Sequence, residues 1–366
     1  MRYFLIGILA FIGLAIGWSL LHIIPASGAR AELKTKLVDQ CRRVDVAPGT
    51  EDVTIDPELK LAFISAADRR AWYNDGGSSA INPKNGIYAM SLDGSDAIRR
   101  VSPAMDNFLP HGISLYRGND GTKRLFVVNH PTTGEEVVEL FDVGANGELT
   151  HLESISFDAM YSPNDIVAVG PNQFYVTNDR RFDSGLLGHL ESYFALPLTS
   201  VAYYDGVKGR IVKDGLTYAN GINKSVDGSS VYVAELLKRR IAVFDRDPES
   251  GKLSHVKNLR VNTAPDNIEV SRDGAIWVAG HSKIFDFVKH AEDAREIAPS
   301  HVIRLNPRSG LTSDVLMSVN GEINGSSVGA VWDNTLIVGA VFDGHVMVCP
   351  MLEILLRGPS QTNEPQ

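Results

Sequence analysis

Tyr161-Ser-Pro-Asn-Asp-Ile-Val-Ala-Val-Gly170 sets an Asn-Asp pair directly ahead of an apolar run, Ile166 to Val169. Taken alone, Pro163-Asn164-Asp165 reads first as a polar turn, since these residue types favour turns. Hard oxygen donors at a strand start are also what an ion site requires. Similar groups elsewhere strengthen that second reading: Glu51-Asp52 in PGTEDVTI, Asn220 in YANGIN and Asp266-Asn267 in APDNIEV, each ahead of or inside a short β-type run. The gaps between Glu51, Asn164, Asn220 and Asp266 are 113, 56 and 46 residues, near two, one and one multiples of a repeat of about 50. Equivalent places in successive repeats then face one point, which is the geometry of a β-propeller with a metal on its axis.

The surrounding text agrees with that geometry. From about residue 45 to 350, runs such as LAFIS, RLFVVNH, QFYVTND, SVYVAEL, AIWVAG and TLIVGAVF alternate with Gly, Asp, Asn and Pro turns. This spacing predicts an all-β fold. DGSSVYVAE and DGAIWVAG read as one hairpin edge used twice. Six blades of about 51 residues each, four strands and their loops, fill the span. No strict WD or kelch repeat is present. The expected organisation is a six-bladed β-propeller over 45–350, behind an N-terminal hydrophobic anchor (1–25) and a stalk (26–44), with a flexible tail over 351–366.

Phe4 to Ile24 contains no charged residue, and about 20 apolar residues span a bilayer core. A cleavable signal has a shorter apolar core of about 7–15 residues, so an uncleaved anchor is expected, although small residues at Ala26-Ser-Gly-Ala29 leave cleavage open. Only Arg2 precedes the span, whereas Arg30, Lys34, Lys36, Arg42 and Arg43 follow it. The positive-inside tendency would therefore hold the folded part in the cytosol. A disulfide and a calcium supply argue for the extracytoplasmic or luminal side, and that side is the one expected. Residues 30–43 place Leu33, Leu37, Val38 and Cys41 on one helical face, which predicts an amphipathic stalk helix. Within the β-rich text, residues 183–198 carry Leu186, Leu187, Leu190, Tyr193 and Phe194 at helical spacing. That segment is either a surface helix packed on a blade or an apolar lid over the site.

Composition sets further bounds. With 44% hydrophobic and 22% charged residues, the 366-residue chain is ordinary globular protein. A net charge of −9 and the lack of a basic stripe disfavour nucleic acid as a partner. The two cysteines, Cys41 and Cys349, are either two buried thiols or a bridge joining the first and last strands in an oxidising compartment.

Calcium takes six to eight oxygen ligands. Glu51, Asn164, Asn220, Asp266 and Asn267 offer two carboxylates and three amides, so two negative charges balance one Ca²⁺ and leave it electrophilic. Neighbours in a strand point to opposite sides, which assigns Asp52 and Asp165 to a second, deeper ion. Joint ligation by Asp266 and Asn267 needs a local turn, which Pro265 supplies. His111 in LPHGIS and His130 in VVNHP are each read first as structural histidines. A pair of imidazoles beside a metal would also serve as a base and its tuning partner. No H-E-x-x-H or P-loop motif occurs.

In order along residues 40–350, EDVTI, LAFIS, PHGIS, FVVNHP, VELF, NDIVAVGPNQFYVTND, YANGIN, SVYVAELL, DNIEV, IWVAG and the closing cysteine resemble the paraoxonase/arylesterase family. The resemblance implies a six-bladed propeller with two Ca²⁺ ions in its tunnel and hydrolysis of lactones, aryl esters and some organophosphates. It also implies a retained hydrophobic N-terminus. It assigns the catalytic ion to Glu51, Asn164, Asn220, Asp266 and Asn267, and the structural ion to Asp52, Asp165 and the carbonyl of Ile113. His111 becomes the base, with His130 behind it. Asp179 contributes to proton handling, and Cys41–Cys349 is a disulfide. Two departures stand out: Arg180 where the family has His, and Gly280 where it has Cys. Trp72 and Tyr73, in the divergent loop 66–79, are both candidates for the pocket aromatic. Sequons occur at Asn223 and Asn324, of which Asn324 is the better acceptor because Asn223 lies three residues from a candidate ligand. The competing readings are a sugar-lactone hydrolase of the gluconolactonase type and a non-catalytic, membrane-tethered propeller that only binds.

Overall fold

Turns built on Asp side chains let each β-run fold back on the last. The Asp120 carboxylate accepts the Thr122 amide at 3.0 Å and that of Asp205 accepts the Val207 amide at 3.0 Å, which are local turns of the kind Asp favours. In the computed structural model, which describes residues 2–75, 82–182 and 185–351, this folding-back produces six four-stranded antiparallel sheets. The chain is a six-bladed β-propeller. Five blades are plain meanders. The sixth draws on both chain ends, with Ser326–Trp332 innermost, then Thr335–Ala340 and His345–Pro350, and Arg42–Asp45 outermost. In this seam Arg42 pairs with Val348 and Asp45 with His345. The Cys41–Cys349 disulfide fastens it across a sequence separation of 308 residues.

Apolar residues alternate along the strands, so each blade offers both faces to its neighbours and the cores lie between blades. Phe63 and Phe141 meet between blades 1 and 2, and Phe126 and Phe174 between blades 2 and 3. Tyr175 and Phe244 meet between blades 3 and 4, and Trp277 and Val338 between blades 5 and 6. Fully burying one such side chain is worth about 1.5–3 kcal/mol.

The six innermost strands are Thr50–Asp56, Pro110–Arg117, Pro163–Gly170, Ala219–Lys224, Ala264–Val270 and Ser326–Trp332. Each is bulged near its start, with register shifts at 50/52, 110/113, 163/166, 219/222, 265/268 and 326/328. A bulge bends the strand and re-aims its side chains. These six starts share one face of the ring.

Among the described residues four α-helices accompany the sheets: α1 (Arg2–Ser27), α2 (Arg69–Asp75), α3 (Gly185–Tyr193) and α4 (Ile284–Glu292). The last three occupy the links between second and third strands of blades 1, 3 and 5, which open on the face where the innermost strands begin. α1 is long and apolar enough to cross a membrane, and its apolar window is not buried. Its end meets the ring where Arg239 Nη1 donates to the Ala26 carbonyl at 2.9 Å. α3 turns Leu186, Leu187 and Tyr193 outward, 74%, 54% and 58% exposed.

The stalk helix expected over 30–43 does not form. Lys36 instead exchanges both backbone hydrogen bonds with Met317, at 2.9 and 3.0 Å. One 3₁₀ turn follows at Val38–Gln40, and the chain then enters the outermost strand of the seam. Leu37 and Val38 are buried in the core between blades 5 and 6, where an extended path gains more than an isolated short helix can supply. The expected tail lies, from residue 352 on, outside the described residues.

Closing so long a loop is worth about 2–5 kcal/mol when a native disulfide is removed. Cys41→Ser or Cys349→Ser is therefore expected to lower the free energy of unfolding in a denaturant titration by about that amount, with the native far-ultraviolet circular dichroism retained.

Candidate active site

The bulges bring polar residues of four innermost strands to the axis. Glu51, Asn164, Asn220, Asp266 and Asn267 are all buried. Among their oxygens, Glu51 Oε2, Asn164 Oδ1, Asn220 Oδ1 and Asn267 Oδ1 have no hydrogen-bond partner. A buried acceptor left unpaired costs about 1–3 kcal/mol, and four of them come from four blades. The amide nitrogens explain their aim. Asn267 Nδ2 donates to Glu51 Oε1 at 2.7 Å, and Asn164 Nδ2 donates to Asp179 Oδ2 at 3.3 Å, so the amide oxygens face away from these anchors. Asp266 Oδ2 lies 3.0 Å from His281 Nε2. Among the described residues no three His, Cys, Asp or Glu side chains cluster as a metal site. The axial set differs in kind, because amide oxygens outnumber carboxylates, and an all-oxygen set of this sort suits a hard cation.

Asp52 and Asp165 lie next to this group and serve the ring directly. The Asp52 carboxylate accepts the amides of Val53 at 2.8 Å and Ile113 at 2.7 Å, and Asp165 accepts those of Ile166 and Ile222, both at 2.7 Å. Each thereby stitches its blade to the next, 1 to 2 and 3 to 4. Carboxylate oxygens retain further lone pairs for a cation. The axis is electrostatically crowded. Burial and the Glu51 charge push the Asp52 carboxyl up to about 8, and burial and Asp52 push that of Asp165 well above the usual range. Burial also raises Asp266. Burial opposes ionisation of Glu51 too, but His111, Arg69 and the Asn267 amide hold it down at about 2.

Two glycines make the approach possible. A Cβ on Gly112 would sit 2.5 Å from Asp165 Cα, and one on Gly221 would sit 2.3 Å from the Asp266 carbonyl oxygen and 2.6 Å from Asn267 Cα. PHGIS and YANGIN therefore carry glycine where the next blade's ligand pair presses closest. Gly280 differs in kind, since a Cβ there would meet the Ala264 carbonyl of the adjacent strand in its own blade at 2.1 Å.

Beside the axis, His111 Nδ1 and His130 Nε2 lie 2.8 Å apart, and His130 Nδ1 lies 2.6 Å from Glu136 Oε2. An ionised carboxylate only accepts. Glu136 thus fixes the proton on His130 Nδ1, His130 Nε2 accepts from His111 Nδ1, and His111 Nε2 keeps a lone pair. That nitrogen lies 3.6 Å from Glu51 Oε1. Burial lowers the His111 pKa, favouring the neutral form. Trp72 stacks on His130 with ring centroids 5.5 Å apart, whereas Tyr73 meets Phe342 edge-on at 6.4 Å. Of the two candidate aromatics, Trp72 is the one against the histidine pair.

Asp179 accepts from Ser162 Oγ at 2.6 Å as well as from Asn164, and so orients a candidate ligand. Arg180 pairs with Asp179 at 3.5 Å and lies over the Tyr218 ring. The two sequon asparagines are engaged: Asn223 Nδ2 donates to the Ile268 carbonyl at 2.8 Å, and Asn324 bonds the Ala298 amide and Asp343.

Sequence reasoning missed three contributors. Glu136 completes the histidine chain. Arg69, buried, donates to the carbonyls of Gly49 and Pro110 and braces the strand starts that carry Glu51 and His111. Ser327 donates to the Glu51 carbonyl at 2.5 Å and ties blade 6 to the axis. Only Glu136 left a signal, six residues after His130 across a glycine turn.

A propeller whose axis gathers buried oxygen donors beside a histidine pair defines a class of hydrolase, and the comparisons with known proteins agree. A family model described as Arylesterase matches residues 42–351. The chain is 34% identical to serum paraoxonase/arylesterase 2 of Rattus norvegicus, covering 90% of this chain and 95% of that one. It is 32% identical to the Homo sapiens protein of the same name (93% and 97% covered) and 34% identical to serum paraoxonase/arylesterase 1 of Homo sapiens (81% and 84% covered). Among solved structures, a protein assigned as a gluconolactonase superposes with a TM-score of 0.55 at 16% identity, covering 85% of this chain and 91% of that one. A luciferin-regenerating enzyme does so at 0.52 and 16%, covering 87% and 95%; both likenesses are of fold alone. The chain belongs to the arylesterase family. It is an ester hydrolase of the paraoxonase/arylesterase kind.

Gly221→Ala is expected to displace the Asp266-Asn267 pair while leaving the blades intact. Displacements near 1 Å cost about 100-fold in rate, so ester hydrolysis should fall by roughly that factor with an unchanged circular dichroism spectrum.

Proposed function

We propose that this protein is a calcium-dependent hydrolase of lactones and aryl esters, extending to some organophosphates, tethered by α1 with its propeller on the extracytoplasmic or luminal side. The observation that carries the reading is the set of four unpartnered, buried oxygens on the axis next to a histidine with a free ring nitrogen. Glu51, Asn164, Asn220, Asp266 and Asn267 would hold the catalytic Ca²⁺. Asp52, Asp165 and the Ile113 carbonyl would hold a second, structural one. A bound Ca²⁺ supplies positive charge that polarises a carbonyl or phosphoryl oxygen.

The chain's own residues do the rest. His111 Nε2 takes a proton from water as that water's oxygen attacks the ester carbon. His130, locked by Glu136, holds the His111 ring in the tautomer that leaves this nitrogen free. As the acyl–oxygen bond breaks, the proton on His111 passes to the departing alkoxide or phenoxide. A lactone leaves as one hydroxy acid, and an aryl ester leaves as an acid and a phenol. Asp179 acts at one remove by steering Asn164. Support for the location comes from the disulfide, which persists in oxidising compartments, and from the unburied apolar helix.

The experiment is a panel of aromatic lactones, aryl acetates and sugar lactones, assayed before and after chelation. Activity should vanish with chelator and return with Ca²⁺. Asn267→Ala or Asp266→Ala should cost at least about 100- to 1000-fold, the scale of losing one group that stabilises an oxyanion. Full turnover by stripped protein, or by either variant, would refute the assignment. His111→Gln should depress hydrolysis less evenly, most for substrates with poor leaving groups.

A further inference from the structure

α2 connects four blades at the mouth of the site. Its first residue, Arg69, reaches inward to the starts of blades 1 and 2. Its second, Arg70, reaches across the ring to α4. One guanidinium nitrogen, Nη1, donates to the His290 carbonyl and to that of Ala291 at 3.2 Å, and Nη2 lies 3.0 Å from His290 Nε2. These carbonyls belong to the last turn of α4, the end of a helix that favours a cation. His290 is buried, and its Nδ1 donates to the Glu296 carbonyl at 2.6 Å, which leaves Nε2 to accept from Arg70. The guanidinium also lies over the Phe342 ring, 4.8 Å from its centroid. Such a contact is worth about 0.5–2 kcal/mol. Arg70 is thus held by a helix end, an imidazole and an aromatic face.

Two residues on, Trp72 lies flat on His130, the interplanar angle being 16°. Trp72 remains 38% exposed, and a seven-residue helix has little stability of its own. On the α4 side, Phe287 stacks on His281 at 3.7 Å and on Phe342 at 5.6 Å. His281 in turn bonds Asp266. The latch therefore joins the wall behind the histidine pair to the wall behind a candidate ligand.

We propose that Arg70 is a positioning residue for ester hydrolysis: by capping α4 and resting on Phe342 it seats Trp72 against His130, where the indole forms the wall that receives the aromatic or acyl group of the substrate. Arg70 touches neither substrate nor the reacting atoms. The proposal rests on the ester-hydrolase reading of this site. It adds a specificity element formed by the divergent loop, in which the distance between α2 and α4 sets the width of the mouth.

A double-mutant cycle tests it. With phenyl acetate as substrate, Arg70→Ala should raise KM about tenfold and lower kcat by less than about threefold, in keeping with a contact of this strength. Arg70→Lys should recover part of the loss, because a lysine still reaches the helix end. Trp72→Ala should reproduce the KM effect, and Arg70→Ala made in the Trp72→Ala background should add less than about twofold. Losses that multiply across the pair, or an Arg70→Ala variant with unchanged KM, would overturn the proposal. Amide hydrogen exchange separates this outcome from failure of the enzymatic reading. Even in a protein with no esterase activity, Arg70→Ala should speed exchange in residues 69–75 while the blades stay protected, and unchanged exchange there counts against the latch.

Discussion

Four oxygen atoms on the axis of this ring have no proton to accept, and much of the structure serves to keep them that way. Three of the four belong to side chains whose other polar atom is held in a hydrogen bond. Asn267 is held by Glu51, and Asn164 by Asp179, itself fixed by Ser162. The strand starts that carry these residues are bulged in all six blades, so the side chains aim at one point instead of alternating. Asp52 and Asp165 then hold adjacent blades together from below with backbone amides. Such a concentration of acceptors is expensive without a counter-charge, and its survival in one place is what marks the site as functional rather than structural.

Much of this was legible in the sequence. Strand runs at regular spacing, broken by Gly and Asp, pointed to a propeller, because a turn residue every few positions leaves a chain little choice but meanders. The axial residues were legible because each sits in a polar group beside an apolar run. The bulges were not. Sequence alternation would send Asn164 and Asp165 to opposite sides, whereas Pro265 already pointed to a local turn at Asp266 and Asn267; paired register shows a bulge at both places. Glu136 and Arg69 were hidden for another reason, since their roles depend on contacts with residues that the fold brings near. The segment 30–43 misled in the opposite direction. Its helical spacing of Leu33, Leu37, Val38 and Cys41 is real, but the edge of blade 5 offers backbone partners at Met317 and the gap beside blade 6 offers a place for Leu37 and Val38. Tertiary demand overrode local pattern.

The two faces of the ring divide the labour. On one, short Asp-nucleated turns join the strands and little else is built. On the other, alternate blades carry α2, α3 and α4, and the end of α1 arrives there too. The candidate site and the end of the apolar helix thus share a face, while the scaffold that holds the axial residues is formed by strands common to all six blades. This arrangement lets the loops diverge, as 66–79 does, without disturbing the donors beneath them. Gly112 and Gly221 mark the limit of that freedom, because there the backbone of one blade touches the polar pair of the next.

The seam of blade 6 has a consequence for biogenesis. Arg42–Asp45 leaves the ribosome about 300 residues before its partner, His345–Pro350. At about 5–20 residues per second, synthesis of the intervening 300 or so residues takes roughly 15–60 s. Through that interval the early strand has no native neighbour, and an unpaired strand edge invites pairing with other chains. The ring can close only once His345–Pro350 has been made. Blade 6 is then the last to assemble, and the covalent bond that follows it records completion.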